Sequence, residues 1–336
     1  MPPPTRARGP AAHRPFFLLT AVAAIVGGAV WLLPVEDPVT QHRSWLLFGM
    51  GGAAVAGYLL TALPSWTRGA RASAPVVWFL VAAWVAARAL AARGTPADAA
   101  PAPVAAALVF AVLISLVGGT AVPAFARAAL GTTLAAAATD RTQALAPAAV
   151  VAAIGLVLGG ADTAAGAVLV LVGLVQIARI RRWGGLRLAE HRAVAMLALA
   201  WLWLGAGLVM LGLAFLGWPE SISVGTAMHA LTMGAMGSMI YAFTARATMV
   251  RAPGGLVPTA LQELGFVLVL VSPLPRLLTW PGTGHATGYA VAVLCWCLGW
   301  SCHLARTIRT LGQPPPWPAL SASRTTQSPA TPRRAG

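Results

Sequence analysis

The chain has 336 residues, of which 58% are hydrophobic and 9% charged, with a mean hydropathy of +0.76. Soluble domains carry about 25% charged residues, so composition argues against a soluble enzyme, a disordered protein and a nucleic-acid-binding domain. The net charge of +15 comes from 23 Arg with no Lys, spread between apolar segments. Charge placed that way orients a membrane protein and does not ask for DNA.

A bilayer core of about 30 Å needs roughly 20 apolar residues per helix. Residues 1–15 are rich in Pro and Arg and read as a flexible cytoplasmic tail. Ten segments then meet the length criterion: 16–34, 45–65, 75–92, 102–124, 144–160, 163–181, 193–216, 222–245, 257–275 and 285–305. Gly159, Gly160, Ala161 and Asp162 are expected to turn the chain between the fifth and sixth. Residues 310–336, rich in Pro, Ser, Thr and Ala, read as a disordered cytoplasmic tail after a 16–309 transmembrane domain. With the N-terminus inside, 19 of the 23 Arg fall on the cytoplasmic side, Arg179 among them. Trp31, Trp45, Trp218 and Trp280 then mark the outer boundary, and Trp66, Trp78 and Trp183 the inner one. The fold class expected is all-α, a polytopic transmembrane bundle of about 10 helices with both termini cytoplasmic. No fixed-period internal repeat stands out. Gly155-xxx-Gly159, Ala230-xxx-Gly234 and Gly234-xx-Gly237 are candidate helix contacts.

Chemistry inside such a bundle rests on few residues. His229 lies about 10 Å inside the eighth span at 1.5 Å per residue. His42 and His285 lie near the outer ends of the second and tenth spans, so three His can converge in the outer half. His229, Met233, Met236 and Ile240 share one face of an ideal α-helix. Imidazole nitrogen and thioether sulfur are ligand types for haem iron or copper. The competing reading has Met filling gaps in a packed bundle and His229 making an interhelical hydrogen bond. Arg88 and Arg276, near the outer side, either clamp an anionic group or anchor their helices at headgroups. Glu263 lies two turns into the ninth span, facing a polar cavity, pairing with a cation or snorkelling. Cys295, Cys297 and Cys302 lack zinc-type spacing and read as small packing residues. The chain has no Walker loop, no dinucleotide fingerprint and no C-x-x-C-H haem attachment site.

Several blocks carry a family resemblance. They are His13-Arg-Pro-Phe-Phe-Leu-Leu19, Leu47-Phe-Gly49 followed by Gly57-Tyr-Leu-Leu-Thr-Ala-Leu-Pro-Ser-Trp-Thr67, and His229-Ala-Leu-Thr-Met-Gly-Ala-Met-Gly-Ser-Met239 followed by Thr244-Ala-Arg-Ala-Thr248. Together with Arg88 and Arg276 they resemble the NnrS family, polytopic membrane proteins linked to nitric oxide response and described as binding haem and copper. The chain departs from that pattern at Ser44 and Trp45, where the family has a second His and a Glu. It departs again before Ala200-Trp-Leu202, where Met196 stands and no His. The family is also usually assigned about twelve helices. The resemblance implies a multi-pass protein of the bacterial inner membrane, in contact with lipid and with no nucleic-acid partner. It further implies haem, with copper as the second cofactor, in a response to nitrosative stress. His229, His42, Arg88 and Arg276 are then the cofactor-binding candidates, and His229, His42, His285 and Met233 the metal candidates. A small-solute permease using Glu263, and a membrane scaffold without a metal, stay open as alternatives. Whether the protein is an enzyme and how it assembles are open as well.

Overall fold

The computed structural model describes residues 11–66, 72–92, 103–131, 141–220, 222–252, 255–278, 285–313 and 319–320. They form a helix bundle with one short hairpin. The helices are α1 (Arg14–Leu32), α2 (Pro38–Leu63), α3 (Ala74–Ala92), α4 (Pro103–Leu130), α5 (Thr142–Leu158), α6 (Asp162–Arg182), α7 (Arg192–Phe215), α8 (224–246), α9 (Ala260–Leu278) and α10 (His285–Thr310). Strands β1 (Val250–Ala252) and β2 (Gly255–Val257) pair antiparallel between α8 and α9. Among the described residues, eight helices are long and apolar enough to cross a membrane. The other two are α5, with 17 residues, and α8. Each helix matches one span expected from the sequence. The protein is an all-α, multi-pass membrane protein.

The α5–α6 turn forms where the sequence puts it. Gly160 takes φ +74° and the Ala161 N–H reaches back to the Leu156 carbonyl at 2.8 Å. This closes the helix with a left-handed Gly cap. Asp162 then opens α6, where a carboxylate suits the positive helix end. The start of α1 also meets the residues that follow α10. Arg14 Nη1 donates to the carbonyls of Leu311 at 3.0 Å and Gln313 at 2.6 Å. Arg246 Nε donates to Leu320 O at 2.8 Å, so part of the C-terminal tail lies on this same end of the bundle.

The helices touch through glycines other than those singled out from sequence. Gly155 faces open space. Instead Gly166 meets Gly212 and Gly173 meets Gly205, seven residues apart on α6 and on α7, and Gly265 meets Gly299 between α9 and α10. Absent side chains let these backbones approach closely. Gly234 and Gly237 do pack, but against the Trp203 and Trp296 rings. The core is aromatic, with Trp201, Trp296, Trp300 and Tyr241 fully buried, while α3 lies at the edge with Trp78 and Phe79 exposed.

Two side chains assigned to the inner boundary turn out to be internal. Arg179 is 2% exposed. Its Nη1 donates to Gln176 Oε1 at 3.0 Å, and its guanidinium lies 5.0 Å from the Trp183 ring centre and 5.2 Å from that of Trp201. Trp183 is itself buried under that cation. A guanidinium tolerates this because aromatic faces and carbonyl oxygens replace part of its hydration.

Candidate functional site

The site begins with two similar helix starts. Asp37 Oδ1 accepts from the Thr40 N–H at 3.0 Å and opens α2. Ser223 Oγ accepts from the Thr226 N–H at 3.1 Å and opens α8. These are N-cap bonds, which fix where a helix begins. Five residues after the first cap stands His42, and six after the second stands His229. A π-helix follows each of them, Ser44–Gly51 in α2 and Ala230–Gly237 in α8. Such i→i+5 segments are rare and cluster at functional sites. Further along, both helices carry a matching pattern, Tyr58-Leu-Leu-Thr61-Ala62 and Tyr241-Ala-Phe-Thr244-Ala245. That echo, together with a His-Arg pair at the start of α1 (His13-Arg14) and of α7 (His191-Arg192), has no fixed period.

The two imidazoles meet. Their ring centres are 6.4 Å apart and their planes differ by 21°. His229 Nδ1 lies 2.7 Å from the Gly225 carbonyl oxygen. His42 Nδ1 lies 2.8 Å from the Gly27 carbonyl oxygen and 3.1 Å from Trp31 Nε1. A carbonyl only accepts, so the shorter contact, to Gly27 O, requires the proton on Nδ1 of His42, an atom the Trp31 N–H also approaches. Both rings therefore carry Nδ1–H and present Nε2 as a lone pair. A backbone carbonyl fixing the far nitrogen is the usual support of a metal-ligating imidazole.

A pocket of about 350 Å³ opens beside the pair, and Trp31, Leu46, Met233, Arg276, Tyr289 and Trp296 help line it. Trp296 is held by its Nε1–H, which donates to Ala24 O at 2.8 Å. The Arg276 guanidinium lies 4.5 Å from the Tyr289 ring centre.

The sequence candidates divide accordingly. His42, His229, Met233 and Arg276 come together at one pocket. Arg88 does not line it. Arg88 Nη1 donates to Ser44 O at 2.8 Å and Ser44 Oγ at 2.9 Å, bracing the start of the α2 π-helix. Trp84 Nε1 donates to Gly49 O at 3.2 Å in the same segment. The departures at 44 and 45 are thus occupied structurally: Ser44 takes Arg88, and Trp45 packs edge-on against Trp84. His285 opens α10, and its side chain lies outside the described residues. The α-helical wheel fails beyond Met233, because the π-turns rotate Met236 out of the pocket wall and into the core, 2% exposed. Glu263 lies in the first turn of α9, since that helix starts at Ala260 behind a Thr259–Gln262 capping box. It pairs with Arg192 at 3.0 Å, at an exposed position where such a pair contributes at most about 1 kcal/mol.

Among the described residues no three His, Cys, Asp or Glu side chains gather as a metal cage. The donor set is two imidazoles and a thioether. Imidazole nitrogen and thioether sulfur are donor types that suit copper or haem iron.

No curated protein and no solved structure matches the chain. A protein-family model does: the one described as NnrS protein matches residues 10–110 and 91–314. The matched region contains the His pair, both π-helices and every wall of the pocket, and the chain therefore belongs to the NnrS family.

Proposed function

We propose that this NnrS-family membrane protein binds a redox metal, haem iron or copper, through His42 and His229, and serves in the response to nitric oxide in the bacterial inner membrane. The observation that carries the proposal is the matched pair of imidazoles, each with Nδ1–H on a backbone carbonyl and Nε2 left as a lone pair. A reduced haem or copper centre supplies a site at which nitric oxide binds, and this small apolar gas partitions into lipid. The chain's own part is to hold the rings and to line the pocket with Trp31, Leu46 and Trp296. Met233 in the wall adds a soft donor that favours copper. A permease acting through a midplane acid draws no support from Glu263, which sits in an exposed pair at a helix start.

The test is an absorption spectrum with metal analysis of protein purified from cells supplied with haem and copper. The expected result is near-stoichiometric metal, with a Soret band if the metal is haem iron. His229→Ala and His42→Ala should each abolish or sharply reduce occupancy in protein that still melts cooperatively. Metal-free wild-type protein, or unchanged occupancy in both variants, refutes the assignment and leaves a membrane scaffold.

A further inference from the structure

The two helices that carry the histidines are matched further than their starts. Each π-helix ends on a glycine, Gly51 in α2 and Gly237 in α8. An aromatic ring is seated on each of them. A Cβ on Gly51 would lie 2.4 Å from Cζ of Phe110, which belongs to α4. A Cβ on Gly237 would lie 2.5 Å from Cζ3 of Trp296, which belongs to α10. The interval from Gly51 to Gly237 equals that from Phe110 to Trp296. The exchange that turns α2 into α8 and α4 into α10 also turns α1 into α7, and the packing obeys it: α1 lies on α10, and α7 on α4. Arg88, late in α3, and Arg276, late in α9, correspond in the same way. Six crossings separate α1 from α7, so counterpart helices run in the same direction. Membrane proteins built from two parallel repeats place their sites between the copies, and here His42 comes from one copy and His229 from the other.

A π-helix is wider than an α-helix and rarely persists beyond one turn. A flat ring pressed onto a residue without a side chain supplies packing that the widened turn lacks. Trp296 is firmly placed, 2% exposed and held by its Nε1–H on Ala24 O at 2.8 Å. Phe110 is half-buried and has no polar tether, so it yields more easily. We propose that the chain is a duplicated helix unit in which Phe110 and Trp296 are counterpart positioning residues, each seating its ring on the glycine that ends a π-helix and so fixing the direction of the histidine before it. Trp296 also lines the pocket, whereas Phe110 does not and acts wholly through His42. The inference rests on the metal reading for what the two imidazoles do once placed.

The test is nitrogen magnetic resonance of the full-length, detergent-purified, metal-free chain with isotope-labelled histidine, which separates protonated from lone-pair ring nitrogens. His42→Gln and His229→Gln assign the two signals, and metal content is measured in parallel on protein from cells supplied with haem and copper. Gly51→Ala should move the His42 signals and Gly237→Ala, more strongly, those of His229. Each should lower metal affinity by about tenfold or more, the loss usual when the support of a ligand is removed. Gly52→Ala, whose Cβ would meet nothing within 4 Å, should change neither readout. Phe110→Leu should restore both readouts to Gly51→Ala, because the new methyl occupies the space the ring leaves, and a general loss of stability would not be repaired in that way. Phe110→Ala and Trp296→Leu, which leave a gap in place of a clash, should give the same selective shifts and serve where a glycine variant does not fold. Unchanged histidine signals and unchanged metal content in folded Gly51→Ala and Gly237→Ala, or in Phe110→Ala and Trp296→Leu, overturn the positioning role and leave the metal reading standing. Selective shifts in a chain whose wild type takes up no metal overturn the metal reading and keep the positioning role.

Discussion

The contact between α6 and α7 offers a test with opposite signs at two glycines. A Cβ placed on Gly173 would lie 2.6 Å from Gly205 O and 2.8 Å from the Val209 backbone nitrogen. Backbone atoms cannot swing aside as a side-chain end can, so Gly173→Ala must push the two helices apart. Overpacking of this kind costs about 1–3 kcal/mol. Ala gains up to about 1 kcal/mol over Gly in helix propensity. The net expectation is a destabilisation of about 1–2 kcal/mol. At Gly155 a Cβ would meet nothing within 4 Å, so only the propensity gain remains and Gly155→Ala should stabilise by up to about 1 kcal/mol. The assay is thermal unfolding in detergent followed by the fluorescence of the 13 Trp residues. One kcal/mol corresponds to about 2–4 °C for a chain of 150–250 residues, and to less in this longer one. Gly173→Ala should therefore melt below wild type and Gly155→Ala at or above it. If the order is reversed, the helices do not touch through Gly173 and the α6–α7 packing described above is wrong.

Two further outcomes follow from particular bonds. Arg88→Gln removes the donor to both Ser44 O and Ser44 Oγ, and should cost about 1–2 kcal/mol in melting once partial exposure is discounted. By loosening the first π-turn it should also lower metal occupancy, whereas unchanged melting would show that Ser44 does not need the guanidinium. His13, at the mouth of the bundle beside α1, is pushed down to about 4 by burial and then by the neighbouring Arg14 charge. Because the folded state holds this proton more weakly than the unfolded chain, stability is full above the unfolded value near 6.5 and falls as pH drops toward 4. The loss is of order 3 kcal/mol below pH 4, with about 2 kcal/mol of it already reached by pH 5, and His13→Phe, keeping the contact with Phe17, should remove that smaller part from the difference between melts at pH 7 and pH 5.

The amino-acid sequence by itself determined the all-α multi-pass architecture and the order of the helices. Hydrophobic length, capping residues and glycine turns are local properties, and a bilayer demands that each crossing satisfy its own backbone. The Gly159–Asp162 turn and the selection of His42, His229, Met233 and Arg276 were legible for the same reason: rare polar groups stand out against an apolar chain. What the sequence could not decide were matters settled between helices. Counting at α-helical spacing put Met236 beside Met233, and only the packing of Gly234 and Gly237 against Trp203 and Trp296 accompanies the wider π-turn that separates them. Arg88 and Arg276 look alike as lone arginines near helix ends, yet one braces Ser44 and the other lines the pocket. Arg179 resembles a loop charge until Trp183 and Trp201 close over it. The tautomer of each imidazole, and so the direction of its free lone pair, depends on which carbonyl lies next to Nδ1. For His42 that carbonyl belongs to Gly27 on α1, a different helix, and tertiary packing alone brought it there.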